Sequence, residues 1–592
     1  MKNKIITFLI VAFALASCES YLDRAPLDSN SDATNWSNES ALEIYAWSLY
    51  GNLDGYGSGW SKGQYFNDAM SDDYVQTDYT QPTISVPAKN SVWSASYVEI
   101  RRANILLARV DRVPGLSQEA ANHWKGVARF FRAQQHFDLV KTFGDCVWVE
   151  SEANIDDNEF LHQQRTDRVT VMKNVCEDLK FAGENCRYTT TNTVNNMCAY
   201  ALLSRVALYE AAWQKYHKNN TTDAKYFYKI AKDAADEVIK SGKYTIHTDY
   251  LSNYISKSLA GNTEMIMYEV YSNTGEGAKV SKGHSMQGWS SSSSKSWSLT
   301  KSAGENFTFA DGTPIHMGTY DDSSIERVFE NRDARLTLIC DPNVLCPLGF
   351  AYKEGVNSTT GYYTDKFVDW NDYGTVTWSA PNNTTDGPVY TYSEVMLNYA
   401  EACAELEDLG DYTMTQNDLD KSVNIVRAKH GNLPALTRTG KGTVSVNGTA
   451  ITADPKNTTG ISNMLWELRR ERRSELMCDG FRYRDLMRWK LGSLLDFSKN
   501  PDGYRGASIE AIKAFITAHY GEDLYKGEEG NLDWSNVEGS NYFDDKYMLG
   551  YNIGTAADQV FRTFDENKHY LEPIPSGQLT LHPELGQNPN WN

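Results

Sequence analysis

The stretch NMLWELRRERRSELMCDGFRYRDLMRW, residues 463–489, limits what this chain can fold into more than any other, because seven arginines crowd between Arg469 and Arg488 among Glu467, Glu471, Glu475, Asp479 and Asp485. Leu465, Leu468, Arg472 and Leu476 recur at helical spacing, Ser462 stands as an N-cap, and Gly480 can supply the left-handed residue that stops the helix before a second one opens at Phe481. Glu467 with Arg470, Arg472 with Glu475, and Asp485 with Arg488 lie three apart, so each base has an acid within reach. A nucleic-acid helix would leave its arginines open for phosphate; this pattern predicts an ion-paired structural helix against aromatic neighbours.

The totals agree. A formal charge of −20 repels nucleic acid and anionic lipid surfaces, so any membrane attachment needs something other than a basic patch. With 592 residues the chain can bury a large core, as several domains or one interlocked unit. Its 36 Tyr and 15 Trp suit both helix packing and carbohydrate contact.

At the N-terminus, Lys2 and Lys4 precede an apolar run from Ile5 to Ala16, too short to span a bilayer, and then Leu15-Ala16-Ser17-Cys18. This resembles a bacterial lipobox, which places a signal peptide over residues 1–17 and acyl chains on Cys18. Residues 18–39 are polar with Pro26 and form a tether. Eight further cysteines show no disulfide framework; Cys340 and Cys346 are the nearest local pair.

From Ser40 the period is helical. Trp93, Tyr97, Ile100, Asn104 and Leu107; Ala199, Leu202, Val206, Tyr209 and Trp213; and Tyr392, Met396, Tyr399, Cys403 and Leu406 each step by three and four. Further helices are predicted over 40–52, 117–143, 168–183, 222–241, 323–338 and 416–430. Neighbouring pairs, 93–110 with 117–143 and 196–215 with 222–241, predict stacked helical hairpins of tetratricopeptide type without the strict 34-residue consensus. Residues 431–460 and 500–554 predict long irregular segments.

An arginine-rich helix ending in Gly480-Phe481-Arg482, then Asp485-Leu486 and Arg488-Trp489, resembles the C-terminal signature of the SusD/RagB family of outer-membrane nutrient-uptake lipoproteins. The endings Tyr570-Leu571-Glu572-Pro573-Ile574-Pro575 and Gln587-Asn588-Pro589-Asn590-Trp591 match its closing motif, and Asp311-Gly312, Phe329-Glu330-Asn331-Arg332-Asp333 and Tyr392 to Ala402 extend the likeness. Ala334, Thr391 and Asp479 depart from the pattern. The resemblance implies a mainly α, tetratricopeptide-like scaffold with long irregular loops and minor β, divided into an N-terminal helical region, 40–260, and a C-terminal region, 261–592, that carries ligand loops. It also implies a surface-exposed, lipid-anchored outer-membrane protein that binds oligosaccharide or polysaccharide without cofactor or catalysis and passes it to a SusC-like, TonB-dependent barrel transporter.

Within Asn273 to Ser298, a Gly/Ser-rich loop holds Trp289 and Trp297, which a flexible loop has no packing reason to expose unless they stack on sugar rings. Folding back onto the core is the competing role. In the family this region joins the stretch before the Trp93 helix, which adds Tyr74, Tyr79, Asp72 and Asp73. Tyr362, Tyr363, Trp370 and Trp378 form a second aromatic region that no family motif matches. The alternatives are a surface glycoside hydrolase using Asp68, Asp72 and Asp73 or Asp321 and Asp322, and a family member that captures peptides. Asp369, Asn371 and Gly374 open like a calcium loop but lack the later oxygen ligands, and the cysteines and histidines show no zinc spacing.

Overall fold

The computed structural model describes residues 36–53, 55–75, 81–152, 156, 162–188, 192–272, 280–281, 283–291, 297–345, 358, 360–519, 544–550 and 562–591. The signal segment, Cys18, most of the tether, Tyr79 and Cys346 lie outside them.

The helical rhythms translate directly. Helices α1 (Glu39–Trp47), α2 (Ser91–Val110), α3 (Gln118–Phe143), α4 (Arg168–Asn185), α5 (Asn196–Tyr216), α6 (Thr221–Lys240) and α7 (Tyr392–Asp408) form within or close to the predicted spans, and α2, α5 and α7 bury most of the stripes read for them. Asn90, Ser117, Asp167, Asn195, Asn220 and Thr391 each accept a backbone N–H of the turn they open, which satisfies amides the helix itself leaves unpaired. Packing runs α2 on α3, α3 on α4, α4 on α5, α5 on α6 and α6 on α7. This is the stacked helical array the spacing calls for, and the chain is mainly α with minor β.

Among the described residues, four small sheets decorate it. Strand β1 (Tyr74–Val75), β4 (Ser298–Leu299), β6 (Tyr362–Thr364) and β5 (Cys340–Leu345) form one in that order; β3 (Val280–Ser281), β2 (Met265–Tyr271) and β7 (Gly387–Thr391) form another. The third, β8 (Leu436–Gly440), β9 (Thr443–Val446) and β10 (Thr449–Ala450), occupies a stretch expected to be irregular, and β11 (Arg505–Ser508) pairs with β12 (Tyr547–Leu549) in another. The 431–460 expectation is therefore corrected. Leu436, Val444 and Val446 are buried, and Asn447 and Gly448, at φ +47° and +78°, make the β9–β10 hairpin turn. A helix, Ile509–His519, likewise occupies part of 500–554. The helix predicted over 323–338 is two, Ile325–Phe329 and Ala334–Ile339, broken at Asn331 with φ +53°. Cys340 and six other described cysteines are free and buried.

The arginine-rich segment forms α8 (Asn463–Glu475), capped by Ser462, and α9 (Arg482–Arg488). Its pairs reach much farther than three residues. Arg488 binds both oxygens of Glu401 on α7 at 2.6 and 2.7 Å, and Trp489 Nε1 donates to the same carboxylate at 2.8 Å. Arg469 meets Glu405 at 2.9 Å, and Arg473 and Arg482 meet Asp73 and Asp72 at 2.7 and 2.8 Å. Two predicted neighbours hold, Glu467 with Arg470 at 3.0 Å and Asp485 with Arg488 at 2.8 Å. The third does not: Arg472 donates to Asp485 at 2.7 Å, while Glu475 takes Arg335 at 2.8 Å and His430 at 2.7 Å. Burial alone would depress the His430 imidazolium, but Glu475 and Glu264 overcome it and push its pKa up to about 10. The imidazolium thus sits between two buried acids, Glu475 at 2.7 Å from Nδ1 and Glu264 at 3.4 Å from Nε2, whose hydrogen bond goes to His247 O at 2.7 Å.

Two outcomes follow. Arg488→Ala leaves the buried Glu401 carboxylate without its guanidinium partner and lowers unfolding free energy by about 3–5 kcal/mol in urea, whereas Lys180→Ala, in an exposed pair with Glu184 at 3.9 Å, changes it by under about 0.5 kcal/mol. Because the His430 pKa is raised in the fold, its stabilisation is complete below about pH 6.5 and fades as pH climbs toward about 10. Thermal unfolding of His430→Gln across that window should show a smaller fall in Tm than the parent protein.

Candidate functional site

The short helix Met286–Ser291 is gripped from two sides. On one, Gly59 N donates to Gly283 O at 2.7 Å and Ser285 Oγ donates to Gly59 O at 2.6 Å. On the other, His284 and Asn383 exchange backbone hydrogen bonds at 2.9 and 3.0 Å, Gln287 N donates to Asn383 Oδ1 at 3.1 Å, and Asp369 N donates to Gln287 Oε1 at 3.3 Å. The helix therefore joins the 55–63 loop to the 369–383 loop.

Both loops carry rings outward. Trp60 is 62% exposed on a turn that needs glycine: Gly57 has φ +82°, and a Cβ there would stand 2.3 Å from Ser61 O. Across the helix, Trp370, Tyr373 and Trp378 form one cluster with centroids 5.4 Å (Trp370 to Trp378) and 4.8 Å (Tyr373 to Trp378) apart, and Tyr373 is 38% exposed. Trp370 Nε1 donates to Asp365 at 2.8 Å, a carboxyl that burial and the neighbouring Asp341 push up to about 7. Asp369, Asn371 and Asp372 stand among these rings, and Lys257 reaches Asp372 at 2.6 Å. Flat apolar faces bordered by amides, carboxylates and an ammonium can stack on a sugar ring and hydrogen-bond its hydroxyls.

The rings singled out in the sequence lie beneath this rim, and the picture of them as open platforms is corrected. Trp297 is 0% exposed, stacked on Tyr74 at 4.5 Å and 18°, with Phe66 and Phe367 against its edges. Trp289 is 7% exposed and edge-on to both Phe66, at 5.6 Å, and Trp60, at 5.8 Å. Tyr74 is fully buried on β1 beside β4. An indole buries more apolar area inside this cluster than it could at a loop tip, which is why the Gly/Ser-rich context does not keep it outside.

Asp72 and Asp73 are also buried. Burial opposes ionisation of Asp72, but Arg473 and Arg482 overcome it and hold the carboxyl well below the usual range. Asp68 accepts Gly480 N at 2.8 Å and Tyr483 N at 3.0 Å, Asp321 accepts from Arg327, and Asp322 accepts Tyr547 Oη at 2.7 Å. Each acid weighed for hydrolysis thus has a structural hydrogen bond. Sequence reasoning passed over Trp60 and Tyr373. The argument once applied to Trp289, a tryptophan in a glycine-rich loop, fits GYGSGWSKG at 55–63 better.

Stacked helical hairpins whose loops raise an aromatic rim define a class of helical scaffold that carries its binding surface on loops. Known proteins agree with that outline. The family model described as "SusD family" matches residues 351–591, and one described as "Starch-binding associating with outer membrane" matches 21–208. A SusD-like protein of Bacteroides ovatus is 25% identical over 264 residues, 42% of this chain and 46% of that protein, so the match spans less than half of that relative. Among solved structures, a SusD-like carbohydrate binding protein from Bacteroides fragilis has TM-score 0.65 at 21% identity, over 93% of this chain and all of that one. A surface glycan-binding protein A from Bacteroides fluxus has TM-score 0.57 at 16% identity, over 94% of this chain and all of that one. The chain belongs to the SusD/RagB family.

Burial separates the two kinds of tryptophan experimentally. Trp297→Ala should cost about 3–5 kcal/mol in chemical unfolding, and Trp60→Ala under about 0.5 kcal/mol.

Proposed function

We propose that this protein captures oligosaccharide at the bacterial surface and hands it to a SusC-like, TonB-dependent barrel, held to the outer membrane by acyl chains on Cys18. The observation that carries the reading is the exposed indole of Trp60, braced on buried rings and set across a short helix from the Trp370, Tyr373 and Trp378 cluster. Family membership supports it, as do relatives named for carbohydrate and glycan binding. A formal charge of −20 favours a neutral glycan over a sulfated or uronate one. Weak, reversible stacking on a rim suits a protein that must release its cargo into a pore, and a tether of the length of residues 18–39 would let it hinge over that pore.

Affinity electrophoresis and calorimetry against neutral polysaccharides test the reading. Trp60→Ala and Tyr373→Ala should each weaken binding by about 1–2 kcal/mol, about 5- to 30-fold, with no change in melting. Cys18→Ala should move the protein from the membrane to the soluble fraction. New reducing ends released from any of these glycans would point to a hydrolase, and a blank panel would point to peptides.

A further inference from the structure

Residues 162–168 lie against the C-terminal tail, and two imidazoles and a carboxylate meet there. His162 Nδ1 is 3.1 Å from Glu584 Oε1. The rings of His162 and His582 have centroids 5.6 Å apart at 64°. One ligand atom from each of His162, His582 and Glu584 lies within 4.8 Å of the other two. His582 Nδ1 is enclosed and has no hydrogen-bond partner among the described residues, so one nitrogen lone pair or N–H of the trio is unspent.

The backbone holding these side chains is fixed on both sides. Arg165 Nε donates to Leu585 O at 2.7 Å, and its Nη1 donates to Asn588 Oδ1 at 2.7 Å. Asn588 Nδ2 in turn donates to Phe143 O at the end of α3 and to Glu572 O, at 2.9 and 2.7 Å. Pro583 opens the short turn Pro583–Leu585, and Gly586 leaves it at φ +62°, so His582 and Glu584 are set on a tight and conformationally restricted corner.

We propose that His162, His582 and Glu584 form a site for a divalent transition-metal ion of the Zn²⁺, Ni²⁺ or Co²⁺ class, which ties the 162–168 segment to the C-terminal tail. Two imidazole nitrogens and one carboxylate oxygen suit these ions and not Ca²⁺ or Mg²⁺, which take oxygen ligands. In a tetrahedral shell with bonds of about 2.1 Å, ligand atoms stand about 3.4 Å apart. The His162 and Glu584 atoms, 3.1 Å apart, are already close to that spacing, and the His582 atom lies within 4.8 Å of both. Three protein ligands leave a fourth position for water. His162 stands 420 residues before His582, which is why no spacing motif announces the trio. The other such cluster among the described residues, Glu264, His430 and Glu475, differs in kind: Arg335 bonds Glu475 at 2.8 Å, and the imidazolium of His430 already supplies positive charge there.

The test is calorimetry and thermal unfolding of the tag-free, chelator-treated protein with Zn²⁺, Ni²⁺ and Ca²⁺. One equivalent of Zn²⁺ should bind and raise Tm, Ca²⁺ at the same concentration should not act at this site, and His162→Ala and His582→Ala should each weaken Zn²⁺ binding at least about tenfold. Both histidines are partly or largely exposed, so the metal-free variants should melt as the parent does, and a variant that fails to fold can be replaced by Glu584→Gln read the same way. Absence of Zn²⁺ binding, or stoichiometric binding that persists in the His162→Ala/His582→Ala double variant, overturns the proposal.

Discussion

The contact on which the architecture depends is ionic and joins segments far apart in the chain: Arg473 and Arg482 of the α8–α9 region seize Asp73 and Asp72, 400 and 410 residues earlier. Buried guanidinium and carboxylate groups repay their desolvation only when geometry is good and the remaining hydrogen bonds are made. Here they are. Arg562 adds hydrogen bonds to Ala69 O and Ser71 O at 3.2 and 2.5 Å, and Asp68 accepts two backbone amides from the α8–α9 turn. Gly480 lets that turn come close; a Cβ on it would stand 2.0 Å from Gln64 O. Residues 64–75 are thereby nailed to the C-terminal helices.

That fixation travels outward to the rim. Tyr74, near one end of the nailed segment, is the floor on which Trp297 stacks, and Phe66, near the other, takes the edges of both Trp297 and Trp289. Trp60 stands on Trp289 and on a glycine-pinched loop just before the segment. The lattice of charges thus supports a column of buried rings, and the column supports an exposed one. Holding an aromatic face in place before its guest arrives lowers the ordering cost of binding, which matters most for a ligand gripped by few contacts.

Local patterns in the sequence carried the helices, and long-range partners decided most of what they missed. The stripe from Ala199 to Trp213 and the cap at Ser462 need only neighbours a turn away, and both are found as expected. Asp72 and Asp73 sit in a polar run that suggests solvent, yet their partners are Arg482 and Arg473. Arg472 chose Asp485 over the nearer Glu475 because Arg335 and His430 arrive from elsewhere to claim the latter. Some of what was missed was local and visible: Asn447-Gly448 after alternating Thr443 to Val446 is a hairpin signal, and a lone tryptophan among the glycines at 55–63 marks an exposed ring.

The account turns on which rings face water and which bear load. Oxidative or carbene footprinting of the folded protein, read tryptophan by tryptophan with and without a bound polysaccharide, measures this directly. Trp60 should label readily and be protected by the glycan, while Trp297 and Trp213 stay inert in both states. Labelling of Trp297 as fast as Trp60, or a Trp60 that saturating glycan leaves unprotected, would contradict it.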